Sequence, residues 1–146
     1  MSKPIGTIIA RMKHYITESG GKIIIGRNSR ENEQLTFQIA RANDLWFHAR
    51  DTQGSHVVLM SPGNNHCLDD IQYAANLAAF NSKIKKVFEN DKQKQRFTIT
   101  VNYCKVIDVS KPAVSQRGTV TLENFNIIDA IPYSKISTYN IHYQKD

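Results

Sequence analysis

The stretch Asp44-Leu45-Trp46-Phe47-His48-Ala49-Arg50, then Gln53-Gly54, then Ser55-His56-Val57-Val58-Leu59, constrains this chain more than any other. Its residues alternate with the period of a strand, and Gln53-Gly54 reads as a turn, so two short strands are expected over 44–50 and 55–60. Leu45, Phe47 and Ala49 share one face and make an ordinary core surface. Asp44, Trp46, His48 and Arg50 share the other. That second face sets the sole tryptophan of the chain among a carboxylate, an imidazole and a guanidinium. An aromatic plane beside cationic donors can stack a base and hold a phosphate. The same residues would also serve as a buried polar network beneath a loop, or as a wet active site. The partition of faces favours the first reading, with the indole and its charged companions turned outward.

The flanking sequence supplies the rest of an α+β domain. Residues 7–18 read as either a short helix or a strand. Gly20-Gly21 is a turn signal, and Lys22-Ile23-Ile24-Ile25-Gly26 is a β-branched strand, so 12–18 and 22–26 could pair as a hairpin. Asn28 with Glu31 three residues on resembles a capping box, and Leu35, Ile39 and Ala42 follow with helical spacing, which predicts a helix over about 29–41. Ser61 to Asn65 is a loop. Asp69 and Asp70 suit the positive end of a second helix over about 67–82, with Leu68, Ile71, Ala74, Ala75 and Ala78 as its apolar stripe. Lys83 to Arg96 holds six basic and two acidic residues and reads as a charged, exposed connection. Phe97, Ile99, Val101 and Tyr103 alternate with polar residues, and the phase slips near Tyr103-Cys104, which suggests a bulge or a sharp twist. Lys111 to Gly118 is a loop; 119–122 and 126–129 are short strands; the tail after Pro132 is polar and aperiodic. The expectation is one domain over 1–146, with an antiparallel or mixed sheet of about five to six strands and two main helices.

A chain of 146 residues can bury a sizeable core. Its net charge of +6 favours an anionic partner, for which nucleic acid is a common candidate. Cys67 and Cys104 lack metal-like spacing and indicate structural thiols in a reducing compartment. No apolar run approaches the ~18–20 residues of a membrane span, and Met1 to Gly6 lacks a signal-peptide core. The expected setting is the bacterial cytoplasm, or the stroma of a plastid, with no membrane partner.

Longer motifs add a family. Gly26 to Phe37, Asp44 to Ala49, Gly54 to Val58, and Lys111-Pro112 followed by Gly118-Thr119-Val120 together resemble the NFACT-R domain over roughly residues 12–131. The wording is most similar to cyanobacterial and plastid-type members. That domain is the C-terminal RNA-binding region of the NFACT proteins of ribosome-associated quality control. The resemblance implies RNA binding, with tRNA or ribosomal RNA as ligand and the large ribosomal subunit as an associated partner. The chain has no room for the other domains of those proteins, so a stand-alone version is expected. Gln53 departs from the usual apolar-Pro-Gly turn, and residues 132–146 form an extension without a counterpart.

The candidate contacts are Arg27, Arg30, Asp44, Trp46, His48, Arg50, Ser55, His56 and Lys111. Arginine grips phosphate with a planar fork, and phosphate contacts dominate such interfaces. Asn28, Asn32 and Thr36 are expected to cap and orient the first helix. Asp44 and His48 stand ~13 Å apart along a strand, too far for a direct pair. Ser55 and His56 point to opposite faces and make no nucleophilic dyad. A return of His56 toward His48 across the Gly54 turn would allow a two-histidine, one-carboxylate metal site, although nothing in the spacing demands it. The reading is therefore an RNA-binding module with no catalytic residue, metal or cofactor. An RNA-processing or RNA-modifying enzyme built on the Asp/His set, and a protein-docking adaptor using the tail, are the alternatives.

Overall fold

The computed structural model describes residues 11–84, 98–113 and 119–132, with the backbone of 142–144. The charged run from residue 85 onward, the loop at 114–118 and most of the C-terminal tail lie outside the described residues.

Four hydrophobic strands early in the chain set the frame. β1 (Lys13–Ile16) and β2 (Lys22–Ile25) form the hairpin, with Tyr15 opposite Ile23. Gly20 carries the positive φ of 88° that the turn needs, a conformation open to glycine at little cost. After the first helix come β3 (Leu45–Ala49) and β4 (Val57–Met60), then a long helix, α2 (Leu68–Phe80). β5 (Ile99–Lys105), β6 (Val109–Ser110), β7 (Thr121–Leu122), β8 (Asn126–Ala130) and β9 (His142–Gln144) follow. Among the described residues, seven strands form one antiparallel sheet in the order β8-β5-β3-β4-β2-β1-β9, and β6 pairs with β7. The aperiodic tail therefore supplies an edge strand, pairing Tyr143 with Tyr15, which its sequence did not announce.

Both faces of the sheet are covered, and that decides most burial. On one face, Leu45, Phe47 and Ala49 pack with Ile23, Val57 and Val101 against α2. The helix lies close because Ala74, Ala75, Ala78 and Ala79 meet the strands. Leu68 leaves the expected stripe and is 82% exposed in the first turn. Asp70 is tied down instead: its carboxylate accepts from Thr17 Oγ1 at 2.9 Å and Ser19 Oγ at 2.6 Å, pinning the first hairpin to the helix.

On the other face lie Ile24, Trp46, Val58 and Cys104, covered by Leu35 and Ile39 of the first helix and by Val109. That helix is α1 (Ser29–Gln34), which continues as a wider π-helical turn over Leu35–Ile39. It ends short of Ala42. Asn28 caps it, accepting from the Glu31 amide at 2.9 Å. The reciprocal arm of the box lands one residue early: Glu31 Oε1 accepts from the Arg27 amide at 3.0 Å.

β5 corrects one expectation. Its register runs unbroken, with Phe47 opposite Tyr103 and Trp46 opposite Cys104, so no bulge interrupts it. The change of apolar phase at Cys104 reflects the second layer beginning to cover the opposite face.

Candidate nucleic-acid interface

Trp46 falls on the face the alternation assigned to it, but that face is roofed. The indole is 1% exposed, so the expected outward ring is not found. Its aromatic neighbours are two imidazoles. His48 lies nearly parallel to it, centroids 5.8 Å apart, and His56 stands edge-on at 5.1 Å. The indole Nε1–H has no hydrogen-bond partner among the described residues.

Several other candidates prove to be internal ties. Asp44 is buried and accepts from the Arg41 amide at 2.7 Å, closing the turn into β3. His56 is buried, with Nδ1 2.8 Å from Thr36 Oγ1 and its amide donating to Asn32 Oδ1 at 3.0 Å. Asn32 and Thr36 thus dock the helix on the sheet and do not cap it. Gly26 permits this approach, since a Cβ there would collide with the Asn32 amide oxygen. Ser55 is half-buried, and its amide donates to Asn81 O at 3.2 Å. Gly54 is required by closeness as well: a Cβ would sit 3.0 Å from Ser82 Cα. The positive φ of the connection falls at Asp51, at 56°, and not at the glycine.

The turn does return His56 to His48, with centroids 5.6 Å apart and rings perpendicular. Among the described residues no three His, Cys, Asp or Glu side chains gather as a metal site. Burial pushes the His48 imidazole below its ordinary value, and hydrogen bonds with the backbone at Ala49 and Gly54 act against that push. Burial, helped by Asp108, raises the Cys104 thiol to about 11, which marks it as a packing residue.

The cationic candidates divide. Arg27 is committed to Glu31, with Nε at 3.0 Å from one carboxylate oxygen and Nη2 at 2.9 Å from the other. It also donates to Arg11 O at 2.7 Å. This fork lowers the Glu31 carboxyl below its ordinary range. Arg30 is exposed on the first turn of α1. Arg50 is exposed, and its contact with Asp51 is loose at 3.9 Å. Lys111 lies 3.4 Å from Glu33 and 5.0 Å above the Phe37 ring.

On the sheet face away from α2, cover thins along β3. Trp46 is buried, His48 half-buried and Arg50 exposed. β5 repeats the gradient from buried Cys104 to half-buried Asn102 and Thr100. Beside them on β8, Ile127 is 57% exposed. Asn102 was not among the residues singled out from sequence. Its position on the polar parity of β5 was readable, but its pairing with His48 was not.

Charge and topology define a small basic α+β domain. The chain is a member of the NFACT family: residues 11–124 match the NFACT protein RNA binding domain. It is 33% identical over 121 residues to the Rqc2 homolog RqcH of Bacillus subtilis, covering 83% of this chain and 19% of that protein. The Streptococcus pneumoniae protein of the same name is 35% identical over 127 residues, covering 86% and 21%. The chain therefore spans about a fifth of the length of these relatives. Its fold matches the C-terminal part of the fibronectin/fibrinogen-binding protein from Streptococcus suis with a TM-score of 0.72 and 28% identity, covering 89% of this chain and 49% of that one. Among the described residues no helix is long and apolar enough to cross a membrane.

Proposed function

We propose that this chain binds structured RNA, tRNA or ribosomal RNA, in ribosome-associated quality control, with the large ribosomal subunit as its wider partner. It acts by binding, without turnover and without a cofactor. The observation that carries the reading is the placement of Arg30, Arg50 and Lys111: all are exposed, and all stand on the side of the sheet away from α2. The net charge of +6 supplies long-range attraction to a polyanion. Family membership supports the same ligand class. Asp44, Ser55 and His56 serve as the frame beneath this surface.

The test is filter binding of tRNA and of a large-subunit ribosomal RNA fragment across a salt series. Wild type is expected to bind and to weaken steadily with salt. The double variant Arg30→Glu, Arg50→Glu is expected to lose at least tenfold in affinity while keeping its thermal midpoint. Absent or salt-insensitive binding by the wild type would reject the reading.

A further inference from the structure

Among the described residues the large sheet ends on β8, which pairs with β5 alone. An edge strand carries a row of backbone groups with no ladder to join, and proteins cover, charge or shorten such edges. The register decides which groups face out. Arg50 stands opposite Thr100, one step beyond the Ala49–Val101 pair, and its amide donates to Thr100 O at 2.9 Å. Thr100 therefore turns its backbone groups toward β3, and its pairing with Asp129 on the other side is without ladder bonds. Asp129 turns its N–H and C=O outward, and by the same alternation so does Ile127. Asn126, Ile128 and Ala130 bond inward to β5.

Helix α2 covers one half of this edge. Gln72 Nε2 donates to Asp129 O at 3.0 Å, and Asn76 Oδ1 accepts from the Ile131 amide at 3.0 Å. Gln72 Nε2 also donates to Asn76 Oδ1 at 3.0 Å, so the two side chains form one plug. The Ile127 N–H, the Ile127 C=O and the Asp129 N–H have no such partner among the described residues.

The side chains at the open half have a definite chemistry. Ile127 is 57% exposed, and Phe125, just ahead of the strand, is 43% exposed. Asp129 is exposed as well. From Thr119 to Pro132 the chain holds two acids, Glu123 and Asp129, and no lysine or arginine, in a protein of net charge +6. Asp108 joins this group through Asn124, whose side-chain amide donates to its carboxylate at 3.3 Å. The edge is thus an apolar and acidic part of a basic molecule. A phosphate backbone is repelled there. A second copy would bring Glu123 and Asp129 against the same acids, whereas a basic peptide finds complementary charge.

We propose that the open half of β8 takes an extended basic peptide as an added strand. Main-chain bonds form at the Ile127 N–H and C=O and at the Asp129 N–H. In the antiparallel sense a lysine or arginine stands opposite Asp129, and the residues two and four places on, both apolar, stand opposite Ile127 and Phe125. The Gln72–Asn76 plug stops the added strand at Asp129. The site uses none of the cations assigned to RNA, so the two activities are measured separately.

The experiment titrates isotope-labelled protein, followed amide by amide, with the blocked peptide TKTKTITVT and with its counterpart TETETITVT. The lysine peptide is expected to shift the Ile127 and Asp129 amides and to slow their hydrogen exchange, with the inward Ile128 amide protected throughout. The glutamate peptide is expected to bind about fivefold more weakly, the scale of an exposed charge pair. Asp129→Lys, at an exposed position, should reverse that preference. If neither peptide moves the two amides, the edge is merely guarded by its charge and the proposal falls. Equal binding of both peptides would overturn the basic occupant. Protection of the same amides that grows with protein concentration, without peptide, would assign the edge to a second copy instead. If Asp129→Lys does not fold, the wild-type ratio of the two peptides decides alone.

Discussion

Trp46 owes its place to a contest between two kinds of neighbour. Its strand partners are polar, but Ile24, Val58 and Cys104 beside it are apolar and the first helix closes over them. Burying an indole recovers more than the unpaired Nε1–H forfeits: a buried aromatic truncated to alanine costs about 3–5 kcal/mol, against about 1–3 for one unsatisfied donor. Trp46→Ala is therefore expected to lower unfolding free energy by about 3–5 kcal/mol in urea titrations. A loss below about 1 kcal/mol would place the ring outside the core. His48 carries the complementary prediction. Its folded value lies below the ordinary 6.5, so between those two values the unfolded chain binds the extra proton. Stability contributed by the neutral ring is then full above 6.5 and declines as pH falls through the folded value. Urea midpoints at several pH values between neutral and mildly acidic should show a smaller acid loss for His48→Gln than for wild type. An identical pH profile in the two proteins would mean the imidazole is not held neutral by the fold.

Elements differ in how much of themselves is local. The cap of α1 was legible because Asn28 and Glu31 sit within one turn. The alternation in β3 and β5 was legible because it is a property of each strand alone. What lay beyond reach was cover: whether a face meets water depends on a helix docking from elsewhere. Hence the faces of β3 were assigned rightly and the exposure of Trp46 wrongly, and the phase change at Cys104, for which a bulge was one of two expected causes, comes without a bulge. The docking itself hangs on three residues brought together only by folding: Gly26, Asn32 and His56. Gly26→Ala would drive a methyl into the Asn32 amide and break its bond to the His56 amide. The expected cost is about 1–3 kcal/mol, in the range of overpacking. It should appear as a lower thermal midpoint, together with faster amide exchange in α1 than in α2. Unchanged exchange in α1 would show that the helix is held by its apolar contacts alone.

At the scale of the whole molecule, the question is how a net charge of +6 is spent. Charge by itself attracts any polyanion weakly; affinity comes from side chains that displace counterions from phosphates. Arg27 is already committed to Glu31, and its release would sacrifice a bidentate pair, so it contributes little. Lys111 shares its charge with Glu33 across 3.4 Å, a partly exposed pair that a phosphate can outcompete. Arg30 and Arg50 complete the three cations proposed here to meet phosphate. Three neutralised phosphates give a log–log salt slope of about −2 for single strands and about −2.7 for a duplex. Replacing Arg50 by Gln should reduce the slope by about 0.7 to 0.9, whereas Arg27→Gln should leave it nearly unchanged and cost stability instead. Equal slope changes for the two variants would show that the Arg27–Glu31 pair opens on RNA and that the cationic surface extends across the start of the first helix.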